Sequence, residues 1–160
     1  MDSAISNSVR IRKLERADLP YVFQMQLDPD SNRLAAVIPL SAEAFEARWA
    51  DNLRDPSVTA QAILLDGALA GNVVCFLRDG QAHVGYWISR EHWGKGIASE
   101  ALRLFLLEIA IRPLHAQVAT SNGASLRVLH KCGFVVERVR FSPGSDRYLA
   151  CDEAVLVLKE

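Results

Sequence analysis

At 160 residues, 50% of them hydrophobic and 23% charged, the chain has the makeup of one folded globular domain with a proper core, and it is short for two. A net charge of −1 supplies no global positive field, which argues against nucleic acid or an anionic membrane as a partner. Cys75, Cys132 and Cys151 lack a C-x-x-C pair, and His83, His92, His115 and His130 lack metal-ligand spacing, so no disulfide framework and no metal are expected.

Residues 1–8 carry neither a basic start nor an apolar stretch, so they read as a flexible N-terminus rather than a secretory leader. A cytoplasmic chain with reduced thiols is expected. Val9–Leu14 reads as a strand, and Arg16 to Leu27 as a helix with Leu19, Val22, Phe23 and Leu27 on one face. Residues 28–40, with Pro29 and Pro39, read as a loop or broken helix. Ser41 caps a helix whose apolar face is Phe45, Trp49 and Leu53, ended by Asp55-Pro56. A meander follows: strands at Thr59–Leu65, Ala68–Leu77 and Gln81–Ser89, separated by Asp66-Gly67 and Asp79-Gly80 turns. Gly94–Ile111 reads as a long helix; its apolar part, 101–111, holds Arg103 and Glu108 and is too short to cross a bilayer. Leu114–Thr120 is a strand, Asn122 caps a helix to Cys132 that Gly133 closes, and Phe134–Phe141 and Tyr148–Lys159 are the last strands. One α+β domain results.

The most informative stretch is Tyr86-Trp-Ile-Ser-Arg-Glu-His-Trp-Gly-Lys-Gly-Ile-Ala98. A strand runs into a loop with glycines at 94 and 96, and the loop opens onto a helix. Such a junction aims backbone N–H groups and the positive end of a helix dipole outward, an anion cradle suited to phosphate. The glycine spacing fits neither a Walker loop nor a dinucleotide fingerprint. A second stretch raises the signal: Asn122-Gly-Ala-Ser125-Leu-Arg-Val128-Leu129-His-Lys131-Cys-Gly133-Phe134 follows after one strand.

Together the two stretches resemble the GNAT acetyltransferase superfamily, and most of all its ribosomal-protein N-terminal alanine acetyltransferases. The resemblance covers Val9 to the closing strand, a single N-acetyltransferase domain at 9–160. It implies an α+β (α/β) fold, with one central, mixed, mostly antiparallel sheet of about seven strands flanked by four helices and splayed between the fourth and fifth strands. It implies acetyl-CoA as donor and an amine as acceptor. Glu91, His92, Trp93, Gly94, Lys95 and Gly96, with Ile97, Ala98 and Ser99, would hold the CoA pyrophosphate. Tyr86, Trp87, Ile88 and Ser89 would flank the pantetheine, Asn122 would meet it directly or through water, and Lys131 would lie toward the adenosine phosphates. Glu91 departs from the Gln or Arg common at the cradle's start, so only its backbone serves an anion.

Acyl transfer needs a neutral amine, a stabilised oxyanion and, where required, a proton for the departing thiolate. His83 stands where relatives often carry a glutamate, and is expected to be the base; the alternative is a strand histidine in a core hydrogen bond. A backbone N–H near Ile88, where the strands part, is expected to meet the oxyanion. The position at which many relatives place a tyrosine acid holds Leu129, and Ser125 is the substitute that the resemblance suggests; the alternative is a local helix-start serine. Cys132 reads as a buried inert thiol, and Trp87 either lines the channel or fills the core. Acceptor choice would fall to Asp28–Leu40 and Phe141–Tyr148, whose mixed charge names no substrate. Three readings stand: transfer to a protein α-amine, transfer to a small amine, or a CoA-binding paralogue without turnover. The pattern leaves room for a homodimer through a terminal strand or a helix face.

Overall fold

Alternating apolar residues make Val9–Lys13 (β1), Thr59–Leu65 (β2), Ala68–Arg78 (β3), Gln81–Ile88 (β4), Leu114–Ala119 (β5), Val135–Ser142 (β6) and Cys151–Leu158 (β7) into one sheet, ordered β1-β2-β3-β4-β5-β7-β6. The computed structural model describes residues 8–160. The expected flexible terminus lies outside the described residues except for Ser8. That residue is tied down: its N–H donates to the Asp66 carboxylate and its carbonyl accepts from the Asp66 N–H, both at 2.9 Å. All neighbouring strands pair antiparallel except β4 and β5, which run parallel and share only Ala82↔Leu114 and His83↔His115. The expected mixed, splayed sheet is therefore present. The strands part just past His83, however, and not at Ile88.

Leu19–Met25 (α1), Pro29–Ala35 (α2), Ala42–Arg54 (α3), Ile97–Glu108 (α4) and Gly123–Lys131 (α5) are five α-helices among the described residues, where four helices were expected. The added one is α2. Pro29 sits at its start, where a missing N–H costs nothing, and the Asp28 carboxylate accepts from the Ser31 N–H at 3.1 Å and from its hydroxyl at 2.6 Å. Helix α4 is shorter than its apolar pattern, because Gly94 to Gly96 belong to the loop and Ile109 is already extended.

The helices divide between the two faces. Ile97, Ala101, Leu102 and Phe105 of α4, with Leu129 of α5, bury against Ile63, Val73, Cys75, Val84 and Ala116. On the other face Leu19, Val22 and Met25 of α1 and Phe45 and Trp49 of α3 pack on Val74 and Trp87. Period-two alternation thus sends Val84, Tyr86 and Ile88 toward α4 and α5, and His83, Gly85 and Trp87 toward α1 and α3. Burying Asp18 is offset by its partners: it accepts from both Arg12 Nη atoms at 2.8 and 2.9 Å and from the Glu15 N–H at 2.8 Å.

At Gly71 of β3 there is no room for a side chain, since a β-carbon would stand 2.1 Å from the Trp87 carbonyl oxygen of β4. A β-carbon at Gly85 would meet only Phe76 Cε1, at 3.9 Å. Gly71→Ala is expected to cost about 1–3 kcal/mol in denaturant unfolding, as overpacked sites do, and Gly85→Ala well under half of that. Equal losses in the two variants would contradict the close approach.

Candidate active site

Three elements meet at the gap between β4 and β5. The first is the loop after β4. Gly94 and Gly96 both adopt left-handed φ, 78° and 74°, and no atom lies within 4 Å of where a β-carbon would project, so the space in front of them is open. Gly96 is the N-cap of α4 and brings no side chain to it; the first intrahelical bond is Glu100 N–H to Gly96 O, at 3.2 Å. The N–H groups of Ile97, Ala98 and Ser99 are left to an incoming acceptor. Glu100 would oppose an anion there, but Arg103 holds it through two 2.8 Å bonds, which also keep its carboxyl below the usual range.

Around this cradle the side chains have other duties. Arg90 turns away from it to pair with Asp30 at 2.7 Å. Glu91 and Lys95 point to solvent, and His92 Nε2 lies 3.7 Å from the Glu91 carboxylate. The Trp93 indole N–H donates to the Ile88 carbonyl at 2.9 Å. That bond occupies a group that would otherwise face the gap, and nothing in the sequence announced it. Ser89 is buried, its hydroxyl 2.6 Å from the Tyr21 hydroxyl of α1, which pins the end of β4.

Helix α5 is the second element, and it runs beside the gap. At its start Asn122 Oδ1 accepts from the Ser125 N–H at 3.3 Å. The Ser125 hydroxyl lies 2.7 Å from the Tyr86 hydroxyl, which is also 3.3 Å from the Ser125 carbonyl. Burial pushes the Tyr86 phenol up to about 12, against a smaller downward pull from Ser125, so it is a proton carrier and never a phenolate near neutrality. At the other end the half-buried Cys132 thiol donates to the Ser99 carbonyl at 3.7 Å, which sets α5 against the cradle. Lys131 is exposed there, beside a hollow that it shares with Arg127 and His130. Leu129 is fully buried in the core.

The third element is β4 itself. The Ser89 N–H donates to the Ala70 carbonyl of β3 at 2.8 Å, so by ladder alternation Trp87, Gly85 and His83 direct their backbone groups at β3. The last β4–β5 pair, His83↔His115, takes up the Val84 N–H, and the N–H groups of Tyr86 and Ile88 then face the gap. Sequence reasoning named only Ile88; Tyr86 becomes a candidate because the strands part so early.

On the opposite face from Tyr86, the gap opens into a cavity of about 700 Å³ lined by α1, α2, α3, the strands β3 to β5 and the segment 147–149. His83 is on its wall, 4% exposed, stacked on Phe76 at 5.7 Å and 5.5 Å from the His115 ring. Its Nδ1 is 3.1 Å from the Gln81 carbonyl, an acceptor, so Nδ1 carries the proton and Nε2 has the free lone pair. Burial lowers its pKa from the ordinary imidazole value, with the Gln81 bond opposing and the Arg78 charge adding. The cavity also gathers both expected acceptor segments. Ile38 N–H donates to Arg147 O and Leu149 N–H to Ala36 O, both at 2.8 Å, so the two are clasped together. Trp87 serves both readings: it packs on the core and lines the cavity, where its indole N–H is buried without a partner.

The family described as "Acetyltransferase (GNAT) domain" matches residues 8–135. Among curated proteins, the "Uncharacterized N-acetyltransferase p20" of Bacillus licheniformis is 24% identical over 151 residues, 86% of this chain and 84% of that protein. A spermidine N-acetyltransferase from Vibrio cholerae, solved with CoA and spermine, matches with a TM-score of 0.78 at 19% identity, covering 93% of this chain and 95% of that one. RimL, a ribosomal L7/L12 α-N-protein acetyltransferase solved with coenzyme A, matches with a TM-score of 0.75 at 18% identity over 96% of each chain. At these identities the two solved structures speak for the fold.

The Tyr86–Ser125 contact is measurable without any substrate. Tyr86→Phe and Ser125→Ala, singly and combined, should show a coupling energy of about 0.5–1.5 kcal/mol in urea unfolding, the ordinary worth of a buried hydrogen bond. Strict additivity would mean that the two hydroxyls do not bond.

Proposed function

Since the chain belongs to the GNAT acetyltransferase family, we propose that it moves an acetyl group from acetyl-CoA to the α-amine at a protein N-terminus, by direct attack in a ternary complex. A single N-acetyltransferase domain, residues 9–160, carries the activity. The likeness to solved structures does not choose the acceptor, since one neighbour is a spermidine N-acetyltransferase and another a ribosomal-protein α-N-acetyltransferase. The observation that carries the choice is His83. An imidazole held neutral, with a pKa below its usual value, is a weak base. It can assist an α-amine, whose pKa is near ~8, far better than a lysine or polyamine nitrogen near ~10.4.

The residues fit the donor at both of its ends. The open left-handed glycines and the N–H groups of Ile97, Ala98 and Ser99 suit a pyrophosphate, with Lys131 toward the adenosine phosphates. The backbone from Tyr86 to Ser89 and the side chain of Asn122 suit the pantetheine amides. The donor supplies an activated acyl thioester. His83 Nε2, on the α1–α3 face, takes the proton of the attacking amine. The N–H of Tyr86 or Ile88 points at the carbonyl oxygen as charge develops on it. Ser125, on the opposite face and backed by the Tyr86 phenol, returns a proton to the departing sulfur. Acid and base therefore reach the gap from its two sides, as attack and departure require.

Thiol release from acetyl-CoA tests the proposal against a panel of a free-N-terminal peptide, an N-blocked lysine peptide, spermidine and free amino acids. Turnover with the free-N-terminal peptide is expected. Turnover with spermidine or amino acids alone would move the assignment to a small amine, and none at all would leave a CoA-binding paralogue. His83→Gln should lower kcat/KM by about 10²-fold, the low end for a general base. The sign of the pH dependence follows from the lowered pKa. His83 stays unprotonated as pH falls through the ordinary imidazole value, so the wild-type limb near pH 8 belongs to the amine. Protonation of His83 adds a second limb only below about 6.5, and that limb should vanish in His83→Gln. An unchanged rate and profile in this variant would remove His83 as the base.

A further inference from the structure

The cavity beyond His83 carries charge that the transfer chemistry does not use. Arg48, Arg78, Arg140 and Arg147 line it, against Asp55, Asp79 and Glu153. Two of these acids are already committed: Glu153 pairs with Arg140 at 3.2 Å, and Asp55 accepts from the Ser57 N–H and hydroxyl at 2.9 and 2.7 Å. Asp79 sits in the turn before β4, close enough to act on His83.

Arg78 and Arg147 meet around Tyr148 with no carboxylate partner among the described residues. Arg78 donates to Gln117 Oε1 at 2.8 Å and to the Tyr148 hydroxyl at 3.4 Å, and its guanidinium lies 5.2 Å from the Phe76 ring. Arg147 lies over the Tyr148 ring at 6.0 Å and donates one Nη to the Ile38 carbonyl, while its Nε is buried with no acceptor. Burial and the nearby Arg48 charge both work against the cationic form of Arg147. Guanidinium groups gathered in a half-buried wall, with an orphan donor among them, are stabilised by a planar anion that can accept from both.

Resting on the acetyltransferase reading above, we propose that the acceptor carries a carboxylate, and that Arg78 and Arg147 bind it while its amine lies at His83. One aromatic ring, Phe76, separates the His83 ring from the Arg78 guanidinium. The carboxylate is therefore several bonds from the amine. It belongs to an acidic side chain near a peptide's N-terminus, not to the α-carboxylate of a free amino acid. A polyamine, positive along its whole length, is rejected by the same wall.

Matched peptides that differ only in Glu or Gln at the second or third residue provide the test. Their affinities for the full-length protein saturated with CoA are read by calorimetry, alongside thiol release from acetyl-CoA. The acidic peptide should bind on the order of tenfold more tightly, through KM in the kinetic assay, and the advantage should shrink with salt. Arg78→Gln should bring the Glu/Gln ratio close to one, and Arg78→Glu should favour a Lys peptide. Arg147→Gln risks opening the clasp at Ile38, so Arg48→Gln, which should weaken the preference without touching that clasp, is its companion. A ratio near one in the wild type, or tighter binding of spermidine, overturns this proposal. Turnover of the Gln peptide or of spermidine in that case leaves the acetyltransferase reading standing. Preferential binding of the Glu peptide without thiol release supports the carboxylate site and counts against turnover.

Discussion

Strands β4 and β5 share two residue pairs and then separate, because each is held more firmly by its other neighbour. Strand β4 is laddered along its whole length to β3, and β5 along its whole length to β7. Twist between parallel neighbours then opens a wedge that neither strand can close without breaking its outer ladder. A row of backbone N–H groups is left without strand partners inside a folded sheet, a condition that proteins rarely tolerate away from water or a ligand. The cradle at 94–99, the Tyr86–Ser125 contact and the cavity on the far face are all arranged along this wedge. In the function proposed above, a substrate chain lying in it would complete the sheet.

Period-two alternation in β4 sends His83 to one face of the sheet and Tyr86 to the other. In the mechanism proposed above, proton uptake and proton return are then separated by the thickness of the sheet, and no proton need pass directly between the two groups. The arrangement also explains the unpartnered polar atoms in the cavity. The Trp87 indole N–H, Asn32 Oδ1 and Arg147 Nε are buried without hydrogen bonds. All three residues line the same cavity. Such atoms cost stability in the free protein, and three of the five found among the described residues gather in this one hollow, where a polar occupant would satisfy them.

Much of this was legible in the sequence where local rules decide the outcome. The Ser41 and Asn122 caps, the Asp-Gly turns and the left-handed glycines at 94 and 96 depend on nearest neighbours. The paired motifs then fixed the sheet and its splay. What escaped was set by tertiary geometry. Helix α2 lay within a stretch read only as a loop or broken helix, because its two prolines masked the start that Asp28 and Pro29 together make. The true parting point depends on two ladders remote in sequence, so the amide of Tyr86 went unnamed. Tyr86 was assigned to the pantetheine wall because nothing local shows its hydroxyl reaching α5. The arginine wall was invisible for the same reason, since Arg78, Arg147 and Arg48 come from a strand end, a loop and a helix.

The clasp between 36–38 and 147–149 has a bearing on how such a protein changes its preferences. The two segments line one cavity and come from distant parts of the chain, yet they share backbone hydrogen bonds and the Val37↔Tyr148 bridge. A segment transplanted alone from a relative arrives with edges cut for a different counterpart. Drift in one loop is therefore checked by the other, and new selectivity is inherited most readily when both are exchanged together.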